Sequence, residues 1–299
     1  MKTTAILRRA RGFTLVEMVI VIVITGIIGA MVAVFIRVPV QGYVDVAARA
    51  ALADTADTAT RRLTRDVRLA LPNSVRVSVD GRYLELLLTR TGGRYLGEND
   101  PPGLGNVLSF TAVPNPPAPF SFTIVGAAPA DALGTRQAIR VGDQVVVYNL
   151  GTAYTANDAY ACSAATGCNR AQVTGAAGNE VTLASNPFAT DPAPLPSPSN
   201  RFHVVTTPVT YACNPTTRTL TRYAGYAIQA IQPAAAGTAP LVATKGALLA
   251  NQVAACRFSY SILDNVQRGL VSVDLSLGVA GSNTGIVRLV QQVQARNTP

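Results

Sequence analysis

The chain opens on an abrupt change of pattern. Residues 13–36, FTLVEMVIVIVITGIIGAMVAVFI, carry a single charge, Glu17. As a helix rising about 1.5 Å per residue, this run covers roughly 36 Å, against about 30 Å for a bilayer's hydrocarbon core. Residues 1–12, MKTTAILRRARG, are basic through Lys2, Arg8, Arg9 and Arg11. That bias predicts a cytoplasmic leader, with everything beyond Arg37 on the opposite side. A cleavable secretory signal has a shorter apolar region, about 7–15 residues, followed by small residues. Here the run is longer, and Ile28 precedes Gly29-Ala30 where a small residue is wanted. A plain signal anchor accounts for the length but not for Glu17. A carboxylate inside a membrane helix costs about 3 kcal/mol on insertion scales and by default points to function.

Beyond Pro39, which would remove one hydrogen bond and kink a helix, residues 44–71 show helical spacing. Val44, Ala48, Leu52, Ala56, Ala59, Leu63, Val67 and Ala70 recur every three or four positions. Arg49, Asp57, Arg61, Arg65 and Arg68 lie largely off that stripe, and Asp57/Arg61 and Arg62/Asp66 form i,i+4 pairs. Pro72-Asn73 is the expected stop. The pattern therefore predicts one helix over 13–71, apolar all round in its first half and amphipathic in its second.

From Ser74 the period becomes two. Val75, Val77 and Val79 alternate with polar residues, Asp80-Gly81 is a hairpin turn, and 83–89 returns as the partner strand. Further strands are predicted at 107–112, 121–125, 138–149, 172–173 with 180–183, 201–212, 218–224, 252–263, 270–277 and 286–293, with Asn214-Pro215 as a turn. Pro-rich stretches at 114–119, 187–198 and 233–240 read as surface connections.

Composition adjusts this picture only in places. The 299 residues suffice for a proper core. The net charge of +9 invites a nucleic-acid reading, but four of those charges lie in the leader, and the remaining side chains carry +5. The row Arg61, Arg65, Arg68 has no interleaved aromatic residues on which bases could stack, so a solvated or salt-bridged face is the preferred reading and nucleic acid is not an expected partner. The four cysteines, Cys162, Cys168, Cys213 and Cys256, contain no Cys-x-x-Cys pair, and one histidine, His203, leaves little for a zinc site. Beyond a membrane segment, an even cysteine count reads as two disulfides in an oxidising compartment. Three connectivities are open; Cys162–Cys168, closing a short loop, and Cys213–Cys256, joining two predicted strands, is the favoured one. His203 sits in a predicted strand without a Gly-x-Ser-x-Gly motif elsewhere. Walker A and Gly-x-Gly-x-x-Gly motifs are absent. Glu98 and Asp100 offer too few ligands for a typical calcium site. No enzyme, metal, cofactor or small-molecule substrate is expected.

Arg11-Gly12-Phe13-Thr14-Leu15-Val16-Glu17 resembles the processing site of type IV prepilins and type II secretion pseudopilins. The resemblance implies cleavage after Gly12 by prepilin peptidase, methylation of the new Phe13 amine, and pairing of Glu17 with the Phe13 amine of a neighbouring subunit during assembly. It implies an α+β, pilin-like fold: a long N-terminal helix over 13–71, with 13–36 as the membrane and assembly segment, packed on an antiparallel β-sheet head, 72–299, with long loops, behind a leader of 1–12. The partners it implies are prepilin peptidase, other pilins or pseudopilins through the N-terminal helix, and the inner membrane before assembly into a pilus or pseudopilus. Val40-Gln41-Gly42-Tyr43-Val44-Asp45, the pair Val209-Thr210-Tyr211 and Leu220-Thr221-Arg222-Tyr223, and the C-terminal run from Val287 to Val293 resemble minor pilins, in particular the O-type minor pilin of the mannose-sensitive haemagglutinin (MSHA) pilus. A J-like pseudopilin and a ligand- or DNA-binding adhesion pilin stand as alternatives.

Overall fold

The computed structural model describes residues 12–131, 136–263, 268–279 and 285–298. The chain divides into two compact units, Met1–Ala51 and Leu52–Pro299. The helix α1, Leu15–Arg68, is one 54-residue element with Pro39 inside it. Its bounds fall two or three residues inside the 13–71 that periodicity predicts.

Over residues 15–36 of the first unit α1 is apolar but for Glu17 and Thr25, and exposed. From Leu15 to Val34 the large side chains are at least half exposed, with Leu15 at 81%. A helix apolar on every side is one whose surroundings are themselves apolar.

In the second unit the last turns of α1 bury Leu52, Ala56, Ala59, Leu63 and Val67. These side chains share one core with Leu84, Leu86, Val209, Tyr211 and Leu220 from one sheet and Val271, Val273, Leu275 and Leu277 from another. Spacing places Leu52, Ala56, Ala59, Leu63 and Val67 in a single stripe, which is why this half of the helix lies on sheet. The helix ends by handing its chain to that sheet. Leu71 N–H donates to Leu87 O at 2.8 Å, Thr89 N–H to Leu69 O at 2.9 Å, and Asn73 takes φ 58° beside Pro72.

The strands are β1 Arg76–Val77, β2 Tyr83–Tyr95, β3 Phe120–Val125, β4 Gln144–Val147, β5 Arg170–Ala177, β6 Glu180–Leu183, β7 Arg201–Asn214, β8 Thr219–Ala224, β9 Ala247–Ala250, β10 Val253–Leu263, β11 Arg268–Gly278 and β12 Ile286–Arg296. Among the described residues all pairings are antiparallel; β10-β11-β12 form one sheet and the other nine strands are linked in a second. β11 shows the period-two burial of a one-sided sheet, with Val271, Val273, Leu275 and Leu277 inward.

The larger sheet does not stay open. β2 pairs with β3, β3 with β6, β6 with β5, β5 with β4, β4 with β7, and β7 again with β2, so six strands close into a ring. The interior is a separate apolar core that includes Phe122, Ile124, Val145, Val147, Val173, Val181 and Phe202. β2 and β7 are long enough to serve both structures. Their 83–88 and 207–212 halves back the helix; their other halves enter the ring. The register shifts at Leu88/Thr89 and Thr89/Thr91, where one becomes the other, as bulges bend a strand and raise its twist. Gly92 and Gly93 permit that passage: a Cβ at Gly92 would stand 2.7 Å from Phe202 O, and one at Gly93 2.9 Å from the Phe202 ring.

Several sequence expectations change here. Residues 107–112 are not a strand, although Leu108 is buried in the ring core and its N–H donates to Leu96 O at 2.8 Å. Apolar alternation placed its side chains but no partner strand completes a ladder. The predicted 138–149 strand shrinks to β4, because Gly142 turns at φ 94°. β2 runs six residues past its predicted end, and β9 had no prediction. The Asn214 turn is as expected: its side-chain oxygen accepts from the N–H groups of Thr216 and Thr217. The hairpin at Asp80-Gly81 is present, but its first strand is only β1.

Candidate functional site

Gly12, Phe13 and Thr14 lead into α1, and residues 1–11, the rest of the expected leader, lie outside the described residues. Phe13 is 79% exposed. Thr14 is the N-cap of the helix. Glu17 N–H donates to Thr14 Oγ1 at 3.3 Å, and Thr14 N–H reaches Glu17 Oε2 at 3.5 Å. This reciprocal arrangement is a capping box, satisfying two of the donors left open at a helix start. Glu17 thus has a local role besides the partner in another subunit that the resemblance implies, and the Thr-x-x-Glu spacing was the available signal for it.

The position of Phe13 sets its chemistry. Hydrolysis of the Gly12–Phe13 peptide would place a new amine one residue before the N-cap. Such an amine has a reference pKa of about 8 and is largely cationic at neutral pH. The helix N-terminus disfavours a cation, whereas a carboxylate in the first turn is favoured there. Glu17 therefore supplies the negative charge nearest in sequence to the junction, on a helix that carries no other charge before Arg37.

The four cysteines come together in pairs at disulfide distance. Cys162 and Cys168 have Cα atoms 4.4 Å apart across a loop bridged at Ser163 and Gly167. Cys213 on β7 and Cys256 on β10 have Cα atoms 6.4 Å apart and connect the two sheets over the core that faces α1.

The other residues singled out from the sequence have local roles. Asp100 accepts from Arg94 and from Gly97 N–H at 2.8 Å, and these donors hold its carboxyl below the usual range. Glu98 accepts from Ser109 and, at 3.2 Å, from Thr111. The two acids tie their own loop together. His203 on β7 lines a cavity of about 440 Å³ with Gly92, Gly93, Arg94, Ser199, Arg201 and Phe202. Burial, with Arg201 nearby, lowers its pKa. Among the described residues no group of three or more His, Cys, Asp or Glu side chains could hold a metal ion.

Two polar clusters escaped the sequence reading. Asp66, taken only as a partner of Arg62, is buried and also accepts from Arg222 Nε at 2.7 Å and Tyr211 OH at 2.8 Å; Arg62 stands 3.7 Å away. Its place three residues after Leu63 was the signal. On the far side of β2, Glu85 is fully buried, accepts from Arg76 Nε at 2.6 Å and Tyr226 OH at 2.8 Å, and Arg76 also stacks 3.6 Å from the Tyr160 ring centre.

Neither a curated protein nor a solved structure matches the chain. Residues 7–33 match the family described as the prokaryotic N-terminal methylation motif. That match falls on the Gly12-Phe13 junction, the capped start of α1 and the apolar run behind it, so the segment opening this chain is a processing and methylation motif of the type IV pilin-like kind.

Proposed function

We propose that this protein is a minor type IV pilin of an MSHA-type pilus, made as a prepilin. Prepilin peptidase cuts after Gly12, and the new amine of Phe13 is methylated. Before assembly, residues 13–36 anchor the chain in the inner membrane with residues 72–299 outside the cytoplasm. After assembly, the same helix packs among the helices of other pilins. The observation that carries this reading is a helix left apolar and exposed over its first half, beginning at a capped Thr14–Glu17 turn beside the junction. Such a surface requires cover, first from lipid and then from neighbouring helices. Glu17 of one subunit, paired with the Phe13 amine of the next, sets the axial register, because an unpaired carboxylate in a low dielectric is far costlier than a paired one. The two cysteine pairs form disulfides outside the cytoplasm.

The test is the intact mass and N-terminal sequence of the protein from cells with and without prepilin peptidase, followed by its recovery in sheared surface filaments. The expected protein starts at Phe13, carries one added methyl only when the peptidase is present, and enters the filament fraction. An uncut Met1 in both strains overturns the prepilin reading. A processed protein absent from filaments but required for exoprotein export overturns the pilus assignment alone.

A further inference from the structure

We propose that the free edge of β12 is a docking site for an extended, acidic segment of a partner protein. β12 pairs with β11 on one side and is the edge of its sheet on the other. A cleft of about 600 Å³ follows this edge, lined by the 292–296 run of β12 together with Arg68 of α1 and Arg268 of β11. Its charged lining is entirely basic: Arg68, Arg268 and Arg296.

Among the described residues no acid balances the three guanidinium groups. Arg268 and Arg296 are direct cross-strand partners in the β11–β12 register. Like charges directly opposite on a sheet are destabilising. Arg268 donates to Gln294 Oε1 at 3.1 Å, a neutral acceptor. Among the described residues Arg68 and Arg296 have no acidic partner. Arg68 also lines an adjoining cleft of about 650 Å³ with Arg61, Arg65 and Gln291; the one acid there, Asp57, is held by Arg61 at 2.6 Å. The negative end of the α1 dipole favours Arg65 and Arg68 where they stand. It offers nothing comparable to the Arg268–Arg296 pair on the sheet.

An edge strand presents unpaired backbone donors and acceptors, the feature by which strand addition binds an extended chain. Positive charge along such an edge opposes pairing with a copy of itself and selects an acidic strand. Carboxylates on alternate positions of that strand meet the guanidinium groups in charge-assisted hydrogen bonds. Single-stranded nucleic acid fits less well, since no aromatic side chain lines either cleft to stack a base. This site is independent of N-terminal processing, so the two readings fail separately.

The test uses the full-length protein in neutral detergent and a fluorescent peptide of alternating Asp and Val, about ten residues long to match a strand. Three further probes are its Lys counterpart, the same acidic peptide N-methylated at alternate amides, and a single-stranded oligonucleotide. The acidic peptide is expected to bind, and the Lys peptide not to. N-methylation, tested on the unaltered protein, is expected to weaken binding roughly tenfold, as is the Arg268→Gln/Arg296→Gln variant with its thermal unfolding unchanged. Binding of the oligonucleotide as tightly as the peptide, with no loss on N-methylation, overturns strand docking in favour of a general polyanion surface. No binding by any probe overturns it in favour of charges that only guard the edge.

Discussion

Asp66 in the last turn of α1 and Arg222 on β8 are joined at 2.7 Å, with side-chain exposures of 4% and 12%. Tyr211 OH, 2.8 Å from the same carboxylate, completes the link between helix and sheet. Removing one member of a buried pair leaves the other charged and unpaired, which costs about 3–5 kcal/mol. Asp66→Ala is therefore expected to lower stability by about 3 kcal/mol, while Tyr211→Phe, which removes one hydrogen bond, costs about 1 kcal/mol. Thermal unfolding of both variants in mild detergent checks the ranking. Equal effects would mean that the ion pair contributes little beyond its hydrogen bonds.

Glu85 provides a test in pH. Burial raises its carboxyl pKa, with Arg76 and Tyr226 offsetting part of that rise. The folded state thus holds this proton to a higher pH than the unfolded chain does. The associated stability is complete below the unfolded carboxylate value, about 4.3, and is lost as pH rises through the raised folded value. Glu85→Gln does not titrate. The stability of the native protein relative to this variant is expected to fall as pH is raised from about 4 toward neutrality. A difference that stays flat, or grows, would show that Arg76 holds Glu85 ionised across the range.

His203 runs the other way. Its folded pKa is lowered by burial and by Arg201. Its contribution is present above the unfolded value of about 6.5 and is lost as pH falls through the folded value. His203→Gln is expected to remove that acid-side slope in unfolding free energy while leaving the slope assigned to Glu85.

The α+β plan was legible because two periods dominate it. The stripe from Leu52 to Val67 and the alternation along β11 each state which face is buried. What the pattern hid was polar burial and closure. Asp66 read only as an i,i+4 partner of Arg62 and Glu85 only as a position in a predicted strand, since one-dimensional spacing does not reveal that Arg222 and Arg76, more distant in sequence or across a turn, arrive beside them. The ring of β2, β3, β6, β5, β4 and β7 depends on pairings such as Gln144 with Val205, which no local signal encodes. At the N-terminus, the methylation motif over residues 7–33 was legible, but Glu17 was read for its charge and not for its place three residues after Thr14.

The cysteine pairs differ in what they are expected to contribute. Cys213 and Cys256 are 43 residues apart in sequence, and Cys162 and Cys168 only six. In the chain-entropy account a loop of the first size is worth about 4 kcal/mol and one of the second about 2 kcal/mol. Replacing Cys213 and Cys256 together by Ser should lower the unfolding temperature more than replacing Cys162 and Cys168 does. The reverse order would place the main constraint in the exposed loop.

Thr14 and Glu17 allow the local role of the carboxylate to be separated from the role proposed for it between subunits. A capping box accepts Gln in place of Glu at the third helical position. Glu17→Gln therefore keeps the helix start but removes the charge proposed to pair with a neighbouring Phe13 amine. Thr14→Ala does the opposite, weakening the first turn by about 1 kcal/mol while keeping the charge. In the proposed assembly, Glu17→Gln is expected to be processed to Phe13 yet lost from sheared filaments. Thr14→Ala is expected to be processed and to enter them. Mass spectrometry of the mature chain reads processing, and its amount in the filament fraction reads assembly. If Glu17→Gln assembles as the native protein does and Thr14→Ala fails, the carboxylate acts by capping α1 and inter-subunit pairing with the amine has no part in assembly.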